Sequence, residues 1–237
     1  IFFQKYSQMS RSQQGLAGAG EWETLRKLLP DFKDKRVLDL GCGYGWHCIY
    51  AMEHGASSVV GVDISHKMLE VAKEKTHFPQ VEYKCCAIED VEFPEESFDV
   101  ILSSLAFHYV ADYEILVKKI YRILKSGGKL VFTVEHPVFT AYGTQDWYYN
   151  EKGEILHFPV DNYYYEGKRT AVFLGEKVTK YHRTLTTYLN TLLSNGFIIN
   201  HIVEPQPPEY MMDIPGMQDE MRRPMMLIVS ANKKMDR

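Results

Sequence analysis

Three glycines and two aspartates in the first third of the chain have the types and spacing of a nucleotide-binding site. Gly41, Gly43 and Gly45 follow a predicted strand and precede a predicted helix. There the backbone can approach a ligand closely, and the helix offers free N–H groups. Asp63 ends the next predicted strand, where a carboxylate can accept hydrogen bonds from both hydroxyls of a ribose. Together these residues predict a site for an adenosine-containing cofactor.

The residues around this loop distinguish between two such cofactors. A dinucleotide loop of pattern GxGxxG needs its third glycine where this chain has Trp46, a side chain that would crowd a pyrophosphate. Asp39, which precedes the loop, would repel a pyrophosphate and favours the cationic amine of a sulfonium cofactor. The loop therefore predicts S-adenosylmethionine in preference to a nicotinamide dinucleotide.

Three histidines are candidates for moving a proton. Ligands of a parallel sheet bind beyond the carboxyl ends of its strands, and His108 and His136 follow the fourth and fifth predicted strands. His182 is predicted at the start of a later helix, from which it could face the same site. Methyl transfer needs a general base only when the acceptor is a hydroxyl, an amine or an acidic carbon. Each histidine therefore keeps the alternative of a structural role.

Substrate contacts are predicted in and just after an aromatic stretch. Residues 138–178 are rich in Tyr, Trp and Gly with little periodicity, which is typical of a lid or binding loop. Their aromatic side chains either wall an acceptor pocket or pack the insertion onto the sheet, and Tyr163 is the candidate contact. Beyond them, Tyr181 is a further candidate, and Arg183 could hold a carboxylate or phosphate. The aromatic set is Trp147, Tyr148, Tyr149, Tyr163, Tyr164 and Tyr165.

Short apolar strands alternate with amphipathic helices before the insertion. We predict strands at 35–40, 58–62, 81–85, 98–103 and 129–135, with helices at 45–54, after Ser65 and after Asp112. This alternation indicates an α/β protein with a parallel sheet and helices on both faces. A helix at about 179–195 and strands at 197–204 and 225–231 follow. No long helix is predicted between the last two strands, so the final strand should be antiparallel.

We divide the chain into an N-terminal helical cap, residues 1–30, and an α/β domain, residues 31–237, that carries the lid insertion at about 138–178. The net charge of −4 over 237 residues argues against a broad nucleic-acid-binding surface. No apolar run approaches the about 18 residues that cross a bilayer, so no membrane association is expected. The four cysteines lack zinc-site spacing. We therefore expect no metal, reduced core thiols, a cytoplasmic location and a monomer or homodimer.

Several sequence blocks occur together in one order: VLDLGCGYG at 37–45, VD at 62–63, IED at 88–90, SFD at 97–99, SSLAFHY at 103–109 and LKSGG at 124–128. With them the chain resembles the class I S-adenosylmethionine-dependent methyltransferases, in particular the bacterial small-molecule type with a ubiquinone-methyltransferase-like core. The resemblance covers roughly residues 35 to 137. It implies a Rossmann-like, seven-stranded, mostly parallel sheet with an antiparallel last strand.

The resemblance also implies roles for single residues. Gly41 and Gly43 would line the methionine part of the cofactor, and Asp63 would bind its ribose. Ile64 would pack on one face of the adenine, and the carbonyl of Ser103 would meet the cofactor amine. The predicted cofactor contacts also include Asp39, Cys42, Tyr44 and Met68.

Further contacts are implied at the adenine edge and at the N-terminus. Ile88 and Glu89 stand where the family contacts the adenine edge, but many relatives carry Asp where this chain has Ala87. The adenine amino group would therefore meet Glu89 or backbone alone. Tyr6 and Arg11 belong to a segment that resembles the flexible cap closing over the cofactor in relatives.

We therefore expect an S-adenosylmethionine-dependent methyltransferase that acts on a small-molecule acceptor at oxygen, nitrogen or carbon. Three alternatives remain: an RNA or protein methyltransferase, a non-catalytic cofactor-binding regulator, and a nicotinamide oxidoreductase. The acidic balance and the absence of an Asn-Pro-Pro-Tyr type motif after the fourth strand disfavour the first, and Trp46 disfavours the last.

Overall fold

The computed structural model describes residues 2–235, so Ile1 of the predicted cap and Asp236 and Arg237 of the predicted α/β domain lie outside the described residues. The strands are β1 (Arg36–Leu40), β2 (Ser58–Asp63), β3 (Val81–Cys85), β4 (Phe98–Ser104), β5 (Leu124–Glu135), β6 (Tyr148–Tyr149), β7 (Ile155–His157), β8 (Gly167–Phe173), β9 (Glu176–His182), β10 (Phe197–Val203) and β11 (Met226–Lys233). The helices are α1 (Phe2–Tyr6), α2 (Ser10–Gln13), α3 (Trp22–Leu25), α4 (Trp46–Glu53), α5 (His66–Lys75), α6 (Tyr113–Ile123), α7 (Pro137–Thr140) and α8 (Leu185–Ser194).

Seven strands form the main sheet, in the order β10-β11-β5-β4-β1-β2-β3. The pairs β1–β2, β1–β4, β2–β3 and β4–β5 are parallel. β11 runs antiparallel to both β5 and β10. The prediction of a Rossmann-like, mostly parallel sheet with an antiparallel last strand is confirmed.

Helices cover both faces because residues of the central strands alternate between two apolar cores. Leu38 of β1 belongs to the same buried cluster as Ile120 of α6 and Leu192 of α8. Val37, its neighbour in sequence, belongs to the cluster that contains Cys48 of α4. This alternation follows from the two-residue period of a strand.

Two predicted helix starts are confirmed at the level of their caps. The Ser65 hydroxyl accepts a hydrogen bond from the backbone N–H of Met68 at 3.4 Å, and the Asp112 carboxylate accepts one from Ile115 at 2.9 Å. A short polar side chain before a helix commonly satisfies a free N–H of its first turn. These caps fix the first residues of α5 and α6. They therefore also fix the ends of the two loops that follow β2 and β4 at the carboxyl edge of the sheet.

The prediction of an irregular stretch over residues 138–178, followed by a helix from about residue 179, is wrong. β6 pairs with β7 and β8 pairs with β9, each as a two-stranded antiparallel ribbon. Leu174 and Gly175 join β8 to β9 with φ values of 54° and 79°, as a two-residue hairpin turn of left-handed conformation requires. α8 begins only at Leu185, with Thr184 as its N-cap.

Two smaller expectations are also corrected. The N-terminal segment contains only short helices, because glycines at 15, 18 and 20 separate α2 from α3. All four cysteines are free, but only Cys42 and Cys48 are buried. Cys85 is exposed because β3 is an edge strand of the sheet, so its side chains are only partly covered.

Candidate functional site

A cavity of about 810 Å³ lies over the carboxyl ends of β1, β2, β4 and β5. The chain passes from β1 to β2 on one side and returns to β4 on the other, so these loops separate at β1. Such a switch point is where open α/β sheets bind their ligands. The N-terminal segment, the β8–β9 hairpin and the residues before β11 complete the walls.

The glycine loop shapes one end of this cavity through backbone geometry. Gly41 has φ +81°, and a Cβ there would lie 2.4 Å from the Cβ of Ala106. Gly45 has φ +75°, and a Cβ there would lie 2.1 Å from the Tyr83 hydroxyl. Gly43 lines the cavity, and a Cβ on it would meet nothing closer than 4.0 Å. The tight turn thus presents the bare backbone of Gly43 to a ligand.

Asp63 at the end of β2 stabilises the same loop. Its Oδ2 accepts a hydrogen bond from Gly43 N at 2.9 Å, and its Oδ1 accepts one from Ser65 N at 2.8 Å. Burial raises the pKa of this carboxyl, although both N–H donors oppose the shift. Asp63 lines the cavity, and each carboxylate oxygen keeps a lone pair for a hydroxyl donor. These oxygens therefore fit a ribose.

Most predicted cofactor residues come together at this end of the cavity. We call it the glycine-loop end and define it by Tyr6, Arg11, Glu21, Gly41, Gly43, Asp63, Ile64, Met68, Ile88 and Glu89. Arg11 is paired there with Glu21 at 2.5 Å. Cys42 and Tyr44 instead line a small cavity of about 60 Å³ that shares Gly41 and Gly43 with the large one.

Two predicted cofactor residues lie beneath the cavity and do not line it. The Asp39 carboxyl is buried, accepts from Cys48 Sγ at 3.5 Å, and leaves Oδ1 without a partner among the described residues. Burial raises its pKa from 3.8 to about 7. The Ser103 hydroxyl donates to the carbonyl of Leu40 at 2.8 Å, and Ser104 is the serine that lines the cavity.

Of the three candidate histidines, only His108 lines the cavity. The Nδ1 of His136 accepts from Val138 N at 3.1 Å as the cap of α7, and its Nε2 lies 2.9 Å from a Glu204 carboxylate oxygen. His182 ends β9 rather than beginning a helix. Its Nε2 donates to the Tyr163 carbonyl at 2.9 Å, and its Nδ1 accepts from Thr140 at 2.7 Å.

The predicted substrate residues Tyr163, Tyr181 and Arg183 also lie outside the cavity lining. The buried Arg183 guanidinium donates to the backbone carbonyls of Val110 and Ala111, the second at 2.9 Å. It therefore holds the loop after β4 in place and is not free for a substrate anion. None of the six predicted aromatic residues of the insertion lines the cavity; Phe173 and Val178 of the hairpin do.

A buried charge network that the sequence did not reveal forms the opposite end of the cavity. Glu135 Oε1 accepts from Lys180 Nζ at 2.5 Å, and Oε2 accepts from Gln145 Nε2 at 2.6 Å. Burial alone would raise the pKa of Glu135, but His108, Lys180 and Gln145 together hold it below its usual range. Glu135 is therefore an ionised carboxylate facing the cavity. We call this the Glu135 end and define it by His108, Tyr109, Glu135, Phe173, Val178, Met225 and Met226.

One of these missed residues had a clear signal in the sequence. Glu135 is the last residue of a correctly predicted strand, so the rule that ligands bind at carboxyl ends selects it. The signal for Lys180 was weaker: it alternates with Val178 and His182 as in a strand, but its segment was predicted to be helical from residue 179. The network depends on the β8–β9 hairpin, which brings Lys180 across to β5.

This fold and cavity define a nucleotide-cofactor-binding α/β protein. The family described as Methyltransferase domain matches residues 38–132. A structure from Listeria monocytogenes, assigned to the S-adenosylmethionine-dependent methyltransferases, is 58% identical with TM-score 0.89, covering 93% of this chain and 99% of its own. An S-adenosylmethionine-dependent methyltransferase from Mesorhizobium loti is 41% identical with TM-score 0.85, covering 92% of this chain and 100% of its own.

A curated relative matches only part of the chain. The ubiquinone biosynthesis O-methyltransferase of Coxiella burnetii is 36% identical over 112 residues, which are 46% of this chain and 47% of the relative. Together with the structural neighbours, these matches show the family. The chain belongs to the class I S-adenosylmethionine-dependent methyltransferases, and its cofactor is S-adenosylmethionine.

Neither a membrane-spanning helix nor a metal-binding cluster occurs among the described residues. No helix within residues 2–235 is both long and apolar enough to span a membrane. In the same part of the chain, no group of three or more His, Cys, Asp or Glu side chains is placed to hold a metal ion.

Proposed function

We propose that the enzyme transfers the methyl group of S-adenosylmethionine to a small-molecule acceptor that binds in the same cavity. The observation that carries this proposal is a single cavity of about 810 Å³ that extends from the glycine loop to Glu135. Cavities of roughly 300–1,000 Å³ are typical of small-molecule sites. One pocket therefore has room for both a cofactor and a compact acceptor.

The cofactor would bind at the glycine-loop end. Gly41 and Gly43 would hold its methionine part, Asp63 its ribose, and Ile64, Met68, Ile88 and Glu89 its adenine. When bound, S-adenosylmethionine supplies an electrophilic methyl group on a cationic sulfur. The protein then has to align an acceptor with that methyl group and exclude water.

The N-terminal segment would act as the predicted cap. Tyr6 and Arg11 line the cavity beside Gly43, and the Lys5 ammonium donates to the Leu174 carbonyl in the β8–β9 turn at 2.9 Å. The cap and the hairpin therefore meet above the cavity. We propose that residues 1–30 and the hairpin of the insertion close over bound ligands together.

Charge favours a small acceptor over RNA. The described residues that line the cavity include five acidic side chains and one basic side chain, Arg11, which Glu21 already pairs. A lining with more acidic than basic side chains opposes a phosphate backbone, whose binding depends on Lys and Arg. The half-length match to a ubiquinone biosynthesis O-methyltransferase supports a small acceptor as well. The cytoplasmic location and the monomeric or homodimeric state stay predictions.

Calorimetric titration tests the cofactor assignment. The protein should bind S-adenosylmethionine and S-adenosylhomocysteine but not NAD. Asp63→Ala should weaken S-adenosylhomocysteine at least about tenfold, because hydrogen bonds to a charged group contribute roughly 1.5–3 kcal/mol. Asp99→Ala is the matched control, since Asp99 is paired with Lys125 away from the cavity. Equal affinities for the two variants would remove Asp63 from the site.

The size of the acceptor is tested with methyl-labelled S-adenosylmethionine and a cell extract separated into low-molecular-weight, RNA and protein fractions. We expect label in the low-molecular-weight fraction. Label that accumulates in RNA or protein would contradict the proposed acceptor class.

A further inference from the structure

The Glu135 end combines apolar walls with very few polar groups. Phe173, Val178, Met225 and Met226 contribute apolar surface. Methionine side chains adapt to irregular shapes and suit an apolar ligand. The polar groups at this end are the His108 ring, the Tyr109 hydroxyl and the Glu135 carboxylate. An acceptor bound here would bury an apolar body and present one polar group.

The charges at this end already balance. Lys180 is buried and lies 2.5 Å from Glu135, so the carboxylate and the ammonium form a neutral pair. Lys180 does not line the cavity, and Arg11, the single Lys or Arg among the described lining residues, is engaged with Glu21 at the other end. A carboxylate or phosphate on the acceptor would therefore face Glu135 without a free cation. Arg183 does not supply that cation, because it lies outside the lining and donates to the carbonyls of Val110 and Ala111.

Besides the Tyr109 hydroxyl, this end offers the cavity one donor, from His108, and one acceptor group, the Glu135 carboxylate. His108 Nδ1 accepts from the backbone N–H of Glu135 at 3.3 Å. Burial lowers the pKa of His108 to about 4, so the ring is neutral and carries its proton on Nε2. That Nε2 lies 4.0 Å from Glu135 Oε1, beyond hydrogen-bond distance. A ligand atom between Nε2 and Oε1 can form a hydrogen bond of about 2.8 Å to each of them, with an angle of roughly 90° at the ligand atom.

A hydroxyl can bind both His108 and Glu135 and still react with the methyl group. It donates its proton to Glu135, accepts from His108 Nε2–H with one lone pair, and keeps a second lone pair for the methyl group. An ammonium offers donors only and meets the His108 N–H, and a carboxylate offers acceptors only and meets Glu135. A neutral amine has a single lone pair, which cannot both accept from His108 and attack carbon.

We propose that the acceptor is an uncharged, apolar molecule that this enzyme methylates on a hydroxyl oxygen held between His108 and Glu135. The inference rests on the proposed function and names the substrate class of the same site. In the reaction the hydroxyl oxygen forms the bond to the methyl carbon, and the electron pair of the C–S bond leaves with sulfur. The hydroxyl proton passes to the Glu135 carboxylate as the C–O bond forms and the oxygen becomes acidic.

Lys180 and Gln145 are positioning residues in this arrangement. Lys180 Nζ bridges Glu135 Oε1 and the Gln145 side-chain oxygen, at 2.5 and 2.7 Å. Gln145 in turn donates to Glu135 Oε2 at 2.6 Å. The carboxylate is therefore fixed by two side chains from the insertion and its hairpin, and its remaining lone pairs face the cavity.

Binding of three shape-matched probes tests the inference without turnover. We would saturate the protein with S-adenosylhomocysteine and titrate 2-naphthol, 2-naphthoate and 2-naphthylmethylamine by calorimetry. We expect 2-naphthol to bind at least about tenfold more tightly than the anion and the ammonium. Equal affinities, or a preference for either charged probe, would overturn the inference.

Variants identify the groups that recognise the hydroxyl. Glu135→Gln and His108→Phe should each reduce the preference for 2-naphthol about tenfold, and leave S-adenosylhomocysteine affinity within about twofold. His136→Asn is the control, because His136 is buried outside the cavity and asparagine can still cap α7. An unchanged preference in both test variants would refute the contact. If S-adenosylhomocysteine itself fails to bind the wild type, the proposed function fails; if it binds without hydroxyl preference, only this inference fails.

Discussion

At the glycine-loop end of the cavity, most groups facing the ligand come from short loops directly after β1, β2 and β3, whereas at the Glu135 end they come from four separate segments. Gly43 and Asp63 are joined by a hydrogen bond from a backbone N–H. Glu135 is held by the side chains of Lys180, 45 residues further along the chain, and Gln145, which belongs to the insertion. The first end depends on backbone geometry, and the second on buried charge.

This difference matches the ligand that we propose for each end. The cofactor is fixed for the whole family, so its site can be built from backbone conformations that few residue types allow. The acceptor differs between such enzymes, and side chains supplied by an insertion can change without altering the sheet. The stabilities of the two ends should therefore respond to different kinds of substitution.

The largest expected effect is at the Glu135 end. Lys180→Met leaves Glu135 buried without its cation, and we expect a loss of about 3–5 kcal/mol in the free energy of unfolding. The double variant Lys180→Met/Glu135→Leu should recover most of this loss, since an apolar pair avoids the desolvation cost. Urea unfolding measures both. Lys118→Met is the control, because its pair with Glu114 is exposed and contributes less than about 0.5 kcal/mol. A small loss in the Lys180 single variant would refute the charge-based view of this end.

The pH dependence of stability should have opposite signs at the two ends. The pKa of Asp39, near the glycine loop, is raised by burial from 3.8 to about 7, so the folded state holds this proton more tightly. Its contribution to stability therefore falls as pH rises from about 4 to about 7, by up to about 4 kcal/mol. The pKa of His108 is lowered by burial to about 4. Its contribution is lost as pH falls from about 6.5 to about 4.

Urea unfolding of Asp39→Asn and His108→Gln between about pH 4 and pH 7 separates the contributions of the two side chains to stability. Relative to wild type, Asp39→Asn should gain stability as pH rises, and His108→Gln should gain it as pH falls. Parallel curves for wild type and both variants would show that neither group titrates as its burial requires.

The sequence predicted the glycine-loop end because its information is local. The apolar strands and the caps at Ser65 and Asp112 each depend on a few neighbouring residues, and the structure has them as predicted. The loop residues Gly41, Gly43 and Asp63 likewise lie at the cavity as expected. The Glu135 end was missed because it depends on one hairpin. The alternation of Val178, Lys180 and His182 is a strand pattern, but the helix predicted from residue 179 concealed it.

The backbone dependence of the first end can be measured with two glycines of nearly equal conformation. Gly41 and Gly153 have φ values of +81° and +78°, so alanine at either position costs about 1 kcal/mol from strain. Only at Gly41 would the new Cβ meet a neighbour, Ala106 at 2.4 Å. We expect Gly41→Ala to lose about 2–3 kcal/mol in total, in line with an overpacked site. Its S-adenosylhomocysteine affinity should also fall, while that of Gly153→Ala stays at the wild-type value. Equal losses in both variants would mean that the loop tolerates a Cβ.

The smallest effect concerns the helix caps, where the two ends should not differ. Ser65→Ala and Asp112→Ala each remove one N-cap, and each should lower the free energy of unfolding by about 1 kcal/mol. Ser65 lines the cavity next to Asp63, but its backbone N–H, which donates to Asp63 at 2.8 Å, survives the substitution. S-adenosylhomocysteine affinity should therefore change less than about twofold in either variant, as calorimetry can check. A tenfold loss in Ser65→Ala alone would mean that the Ser65 hydroxyl itself contributes to ligand binding, and that the backbone N–H which donates to Asp63 is not enough to hold this end of the cavity in place.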